Sequence, residues 1–362
     1  MGRIAILTPF FTTADAVSND VLGMYNTLKS HNRNVQVFAN EWNADGIGIR
    51  PAYQATEFAA SSDDVLIYHY SMGWHIGLEM MRDASCRRVV KYHNITPPEY
   101  FEGVSKDYEH VCRVGRLQHE EFAAMQCDLY LSDSQYNMWE LVVAGADEQR
   151  SFVVPPFHHI ERLAEIDPDP HVLEAGRGDV VNVLMVGRVA PNKRQDSLIE
   201  AFAAYHHDFN QNSRLYIVGK QPEGLESYLQ KLRELAGKLN VGDAVTFTDC
   251  VTDEQLKAYY MIAKAFVMTS EHEGFCVPLV EAMAMKVPVI ALASSAVTGT
   301  VGKAGLLWKE RNPHLIAQSI DRIARDEASA VALGVMGWRR YHQLFTNEKI
   351  ENAFLNSLQV VT

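Results

Sequence analysis

Short runs of apolar and β-branched residues alternate with stretches of helical periodicity along almost the whole chain. This alternation restricts the fold more than any other feature. RIAILTPF, VQVFAN, DVLIYHY, RRVVKYH and CDLYLSD each read as a short buried strand, and segments such as SNDVLGMYNTLKSH between them carry helical periodicity. A β/α alternation of this kind forms a mostly parallel sheet with helices on both faces. VVPPFHHI interrupts the pattern, because Pro155 and Pro156 cannot continue a central strand, and it reads as a linker. A second series follows: VNVLMVGRV, SRLYIVG, AVTFTD, AKAFVMTS and VPVIALAS, each trailed by a helical stretch. The expected fold class is α/β, with two doubly wound, Rossmann-like domains over residues 1–155 and 156–339. A chain of 362 residues is long enough for both. GWRRYHQLFTNEKIENAFLNSLQ reads as one last helix, with Phe345, Ile350, Phe354 and Leu358 recurring roughly at helical spacing.

In open α/β sheets, ligands bind beyond the C-terminal ends of strands, so the residues that follow each strand carry the chemistry. AKAFVMTS is followed by EGFCVPLVE, which sets Glu273 and Glu281 eight positions apart across a loop and a helix start. Pro278 suits the first turn of that helix, where its missing N–H costs nothing, and EAMAMK continues it with good helix formers. The free amides of Phe275, Cys276 and Val277 at such a helix start can hold an anion such as a diphosphate. Glu273 in the loop can face a sugar, and Glu281 can accept hydrogen bonds from vicinal hydroxyls such as those of a ribose. VNVLMVG ends at Gly187, and Arg188 and Lys193 follow in one loop. Two cations there can neutralise a leaving diphosphate, arginine as a planar fork and lysine as a point charge. In the first half, KYHNITPPEYF brings His93 to a strand end.

Composition excludes several classes. A formal net charge of −12 argues against non-specific nucleic-acid binding. No apolar run approaches the roughly 20 residues of a membrane span, and MGRIAILTPFF reads as a first strand rather than a secretory signal. Cys86, Cys112, Cys127, Cys250 and Cys276 form no C-x-x-C pair, which suits small buried hydrophobes in a reducing compartment. There is no G-x-G-x-x-G after the first strand, no phosphate loop of the G-x-x-x-x-G-K-[ST] type and no G-x-S-x-G. His158–His159 and His206–His207 lack metal-ligand spacing and read as surface pairs, and no D-x-D motif stands in a loop suited to one. No metal ligand and no cofactor is expected.

The EGFCVPLVE segment resembles the signature of the retaining nucleotide-sugar glycosyltransferases of family 4, in which two glutamates flank seven residues in a strand–loop–helix setting. Arg188 and Lys193 match the family's G-R-x-x-x-x-K motif. Members usually read E-G-F-G, whereas here Cys276 replaces the second glycine. The resemblance implies the GT-B fold, two Rossmann-like domains facing a cleft, with the last helix, about 340–362, returning to the first domain. It implies a catalytic role for Glu273, and for His93 reaching the donor sugar from the first domain. Donor contacts are implied at Arg188, Lys193, Gly187, Gly274, Phe275, Cys276, Val277 and Glu281, with the nucleobase held near Val251. Asn94, Thr96 and Ser18 are expected on the acceptor side, with Ser18 also a candidate helix cap. The family's Gly-Gly loop after the first strand is missing: TPFFTTADAVSND has no glycine, and the amides of Ala16 or Val17 are its candidate substitutes.

IYHYSMGW and KYHNITPPEYF look like segments of bacterial O-antigen and exopolysaccharide mannosyltransferases. The expectation is therefore a retaining, metal-independent hexosyltransferase that takes mannose from GDP-mannose, or a hexose from a UDP-sugar, to a glycan or lipid-linked glycan. Such an enzyme would work in the cytoplasm, at the inner membrane face where it associates peripherally. A nucleotide-sugar epimerase and a non-catalytic scaffold that binds nucleotide sugar or a partner protein are the rival readings.

Overall fold

The computed structural model describes residues 2–12, 15–43 and 47–361. The described residues form thirteen strands: β1 (Ile4–Phe11), β2 (Val35–Trp42), β3 (Arg50–Pro51), β4 (Val65–Tyr70), β5 (Arg87–Tyr92), β6 (Leu129–Ser132), β7 (Ser151–Val153), β8 (Val181–Val186), β9 (Ser213–Val218), β10 (Val245–Asp249), β11 (Ala265–Met268), β12 (Val289–Leu292) and β13 (Leu306–Trp308). They form a seven-stranded sheet, β3-β2-β1-β4-β5-β6-β7, and a six-stranded sheet, β10-β9-β8-β11-β12-β13. Pairing within both sheets is parallel. Each is a doubly wound, Rossmann-like sheet, the fold class expected from the alternation.

The chain divides into two compact units. One comprises Met1–Glu99, Asp107–His159 and Thr346–Thr362; the other comprises Tyr100–Lys106 and Ile160–Phe345. In the first, β4 is buried on both faces. Leu66, Tyr68 and Tyr70 enter one core with Phe122 and Tyr92, while Val65 and Ile67 enter the other with Val21, Met24 and Phe354. That split follows the two-residue period of a strand, and burial on both faces explains the unbroken apolar runs. The second unit has one core, built on β8, β9, β11 and β12.

Three strands escape the sequence reading. β3, β7 and β13 are two or three residues long. All are sheet edges, where burial on one side only leaves no sustained apolar run. β7 ends at Val153, before Pro155 and Pro156, in keeping with the exclusion of proline from paired strands.

The C-terminal segment departs from expectation more sharply. It forms two helices, Glu327–Leu344 and Asn347–Leu358, and Thr346 caps the second by accepting from the Lys349 amide. Phe345 does not share a face with Ile350, Phe354 and Leu358. It packs edge-on against Phe275, centroids 5.4 Å apart, in the core of the second unit, while the other three enter the first unit's core. The helix breaks where its apolar residues change core. His158 is likewise not a surface residue: it is buried, and Asn347 bonds both its amide and its carbonyl. Cys86, Cys127 and Cys276 are buried, but Cys112 is half-buried and Cys250 exposed. Among the described residues no helix is long and apolar enough to cross a membrane.

Candidate active site

In the second sheet, strand order reverses between β8 and β11, the switch point where doubly wound sheets bind ligands. The loops that follow these two strands are stitched together. Asn192 donates to the His272 carbonyl at 3.1 Å, and its own carbonyl accepts from the Glu271 amide at 2.9 Å. The Thr269 hydroxyl donates to the Arg194 carbonyl at 2.9 Å. Arg194 stands at φ 52° and is held by Asp196 at 2.7 Å and Glu271 at 3.2 Å. Lys193 is thereby aimed at Glu273. Its ammonium lies 2.6 and 2.8 Å from the two carboxylate oxygens, with side chains only 15% and 7% exposed. The Glu273 amide donates to Ser295 Oγ at 2.8 Å, fixing the loop from β12's side. A positive donor and an acceptor-only group thus stand side by side over the switch point, each neutralising the other. An arriving anion competes with Glu273 for Lys193, and releasing Glu273 frees its oxygens for hydroxyls.

The helix after this loop runs Val277–Ala284, with Pro278 in its first turn. Cys276 caps it at φ 73°, ψ 75°, left-handed backbone that favours glycine. That conformation accounts for the glycine usual at this position in the proteins the motif resembles. The thiol is buried, and burial followed by the nearby Glu273 charge holds its pKa well above the ordinary thiol value, so it stays protonated. Cys276→Val, which adds β-branching to a left-handed residue, is expected to lower unfolding stability by about 1–2 kcal/mol. Cys276→Gly should stay within about 1 kcal/mol, since relief of the backbone offsets the lost thiol burial. Urea midpoints of the two variants check the pair, and a valine variant as stable as the parent contradicts the strain argument. Glu281, in the same helix, is buried and accepts the Tyr260 hydroxyl at 2.7 Å. Burial and then the Glu281 charge raise the Tyr260 pKa well above 10, so the phenol remains a donor.

The remaining expected donor residues lie at the ends of the same sheet. Gly187, just after β8, has φ 150°, and a Cβ there would meet nothing within 4 Å. Arg188 is exposed, and among the described residues it has no carboxylate within 4 Å. Gly274 and Val277 are half-buried, and Phe275 and Cys276 buried. Val251 is half-buried after β10, immediately before Thr252, which caps the helix Asp253–Ile262 through a full capping box.

In the first unit, the switch point lies between β1 and β4. Ser18 is not the helix cap. Asp15 is, accepting from the Ser18 amide at 2.9 Å. The Ser18 hydroxyl instead donates to Asp15 and accepts from the Thr12 amide at 3.0 Å, so it closes the first loop. Ala16 and Val17 form the first turn of the helix Ala16–Ser30. Thr13 and Ala14 of that loop lie outside the described residues. Asn94, at φ 74°, donates to Asn137 at 2.9 Å and Glu140 at 2.8 Å, while Thr96 is half-buried.

His93 has both ring nitrogens engaged: Nδ1 lies 2.9 Å from Asp133, and Nε2 lies 2.8 Å from His69 Nδ1. Lys91 and Asp20 complete a buried cluster, with Lys91 Nζ 2.6 Å from Asp133 and 3.7 Å from Asp20. Of these five residues only His93 was singled out from the sequence. The others come from β4, β5, the loop after β6 and the helix Ala16–Ser30, and no spacing in the sequence signals their meeting.

The second unit resembles known proteins in sequence. Residues 176–337 match the family model of the glycosyl transferases group 1. The matched stretch includes Arg188, Lys193, Glu273 and Glu281. Among curated proteins, the chain is 33% identical over 169 residues to the GDP-mannose-dependent alpha-(1-6)-phosphatidylinositol monomannoside mannosyltransferase of Mycobacterium tuberculosis, covering 44% of this chain and 42% of that one. It is 31% identical over 238 residues to the D-inositol 3-phosphate glycosyltransferase of Geodermatophilus obscurus, covering 62% and 53%. The chain thus spans about half the length of the curated relatives it matches. Among solved structures, it superposes on Anabaena HepE in complex with UDP and glucose with TM-score 0.78 at 18% identity, covering 98% of this chain and 99% of that one. It superposes on WaaG, a glycosyltransferase involved in lipopolysaccharide biosynthesis, with TM-score 0.72 at 14% identity over 99% of each. At these identities the likeness is one of fold, and the fold is GT-B.

Proposed function

We propose that the chain is a retaining glycosyltransferase that moves a hexose, mannose from GDP-mannose, to a hydroxyl of a glycan or lipid-linked glycan in the assembly of a bacterial surface polysaccharide. The observation that carries this reading is the Lys193–Glu273 pair over the β8/β11 switch point, inside the stretch matched by the glycosyl transferases group 1. A diphosphate seated between Arg188, Lys193 and the start of the helix Val277–Ala284 draws Lys193 from Glu273. Fixed cations and amides then stabilise the charge that builds on the leaving β-phosphate oxygen as the bond to the anomeric carbon breaks. Glu273 orients the sugar and steadies the oxocarbenium-like carbon, the leaving phosphate takes the acceptor's proton, and Glu281 holds the ribose. Counter-charge at the phosphates comes from these side chains without a metal, so Mn²⁺ or Mg²⁺ added during turnover is expected to leave the rate unchanged.

Mannose is preferred because the mycobacterial relative is named as GDP-mannose-dependent. A UDP-hexose is the second reading, favoured by the full-length likeness to HepE, which was solved with UDP and glucose. Melting temperature measured with GDP, UDP, ADP and dTDP separates them, since a ligand at 100 times its Kd adds about 2.7 kcal/mol of stability. GDP is expected to give the largest shift. Incubation of the matching nucleotide sugar with and without acceptor glycan then tests the activity. A new glycosidic bond supports transfer. An altered sugar formed without acceptor means an epimerase, and binding with no product means a scaffold.

A further inference from the structure

The buried cluster in the first unit has the form of a metal site. Asp20 and His69 are 0% exposed and the His93 side chain 5%. His69 Nδ1, His93 Nε2 and Asp20 Oδ2 stand 2.8, 3.6 and 3.7 Å apart. The point equidistant from such atoms lies about 2.0 Å from each, the length of a zinc bond to imidazole or carboxylate. Asp133 accepts from His93 Nδ1 at 2.9 Å, which leaves Nε2 as the unprotonated nitrogen, turned toward that point and toward His69 Nδ1 at 2.8 Å. A carboxylate behind a histidine is the usual support of a metal-bound imidazole. Asp20 Oδ1 accepts from the Phe157 amide at 2.8 Å, whereas Oδ2 is buried with no hydrogen-bond donor. An acceptor so placed needs a cation or a proton.

Lys91 supplies that positive charge only in part. Its ammonium is 2.6 Å from Asp133, donates to the Val154 carbonyl, and stands 3.7 Å from Asp20 Oδ2. One ammonium therefore faces two carboxylates.

We propose that Asp20, His69 and His93 bind one borderline divalent ion of the zinc type, which ties the helix Ala16–Ser30 to the ends of β4 and β5. Two nitrogens in three ligands select zinc, cobalt or nickel over magnesium and calcium, which take oxygen. The ion fixes the His93 ring. Its ligands belong to the first unit and the Lys193–Glu273 pair to the second, and its test reads metal content rather than turnover, so the proposal stands or falls independently of the transferase reading.

The full chain, stripped with chelator and desalted, is offered Zn²⁺ or Co²⁺, and bound metal is counted by mass spectrometry. One equivalent is expected in the parent protein, with visible cobalt bands of a low-symmetry N₂O site. Asp20→Asn and His69→Gln are each expected to lose that equivalent. Two variants are used because either can fail to fold, which far-ultraviolet circular dichroism reports. Independently of both, the imidazole ¹⁵N resonances of His69 and His93 are expected to shift when Zn²⁺ is added to the parent. No uptake by the parent overturns the proposal and leaves a shared proton as the occupant. Equal uptake by folded variants, or unshifted His69 and His93 resonances, assigns the metal to other histidines among the chain's 14 and overturns it equally.

Discussion

Lys193→Ala is expected to lower kcat/KM for the donor by roughly one to two orders of magnitude, the range that follows from losing a charge-assisted contact of about 1.5–3 kcal/mol. The structure adds a second effect. Lys193 covers both oxygens of Glu273 at 2.6 and 2.8 Å, and the Glu273 side chain is 7% exposed. Alanine at 193 strands that carboxylate. Breaking a fully buried pair costs about 3–5 kcal/mol; because Lys193 is 15% exposed and water reaches it, a loss nearer 1–3 kcal/mol is expected. Lys193→Met separates the two effects poorly, since it too removes the charge. The double variant Lys193→Ala with Glu273→Gln separates them well. It should regain much of the stability, the stranded charge being gone, and none of the turnover. Urea midpoints and steady-state kinetics on the three proteins check this. Unchanged donor affinity and turnover in Lys193→Ala would falsify the phosphate role, and unchanged stability would place Glu273 in contact with solvent.

Most of the strands that could be read in the sequence are those where burial is symmetric; the half-buried edge strand β10 was read instead from its β-branched and aromatic run VTFT. β4 and β8 are buried along nearly their whole length, and such strands announce themselves as unbroken apolar runs. The edges β3, β7 and β13 carry no such signal. The break at Phe345–Thr346 left one trace in the sequence: Phe345 to Ile350 is a step of five positions, whereas Ile350, Phe354 and Leu358 keep the four-residue step of one helix face, and the two sides enter different cores. At the candidate site, sequence reasoning brought Arg188, Lys193, Glu273 and Glu281 to strand ends separately. It did not show that Lys193 and Glu273, 80 positions apart, pair with each other, because ion pairing between loops depends on which strands are neighbours. The position of Cys276 was marked as a departure from the usual glycine, yet its φ of 73° needed coordinates. The Asp20–His69–Lys91–His93–Asp133 cluster was invisible for the same reason. The one hint was that charged residues fall inside runs that otherwise read as buried strands: His69 in DVLIYHY and Lys91 in RRVVKYH. A buried ionisable group is costly unless paired, so such residues call for partners from other elements.

The two glutamates are expected to fail in different ways. Glu273 sits in the loop beside Lys193, where the sugar is proposed to lie. Glu273→Gln keeps the shape and one acceptor oxygen but removes the charge that favours an oxocarbenium-like state, so kcat should fall by about 10- to 1,000-fold with little change in nucleotide Kd. Glu281 is proposed to hold the ribose, so its replacement should weaken donor and free nucleotide together. Its burial complicates the obvious variant: Glu281→Ala leaves the Tyr260 hydroxyl, now 2.7 Å from the carboxylate, without that acceptor, at a cost of about 1–3 kcal/mol in stability. Glu281→Gln retains an oxygen for Tyr260 and isolates the ligand contact. Donor KM and nucleotide Kd should rise by about 10-fold in that variant, the equivalent of about 1.4 kcal/mol, while kcat at saturating donor stays within a few-fold of the parent. The measurements are kcat, KM for donor, and nucleotide Kd by calorimetry. If Glu273→Gln weakens free nucleotide and spares kcat while Glu281→Gln does the reverse, the two roles are exchanged. If Glu281→Gln binds nucleotide as the parent does, Glu281 serves only as the buried partner of Tyr260, and the ribose must be held by another group near the start of the helix Val277–Ala284.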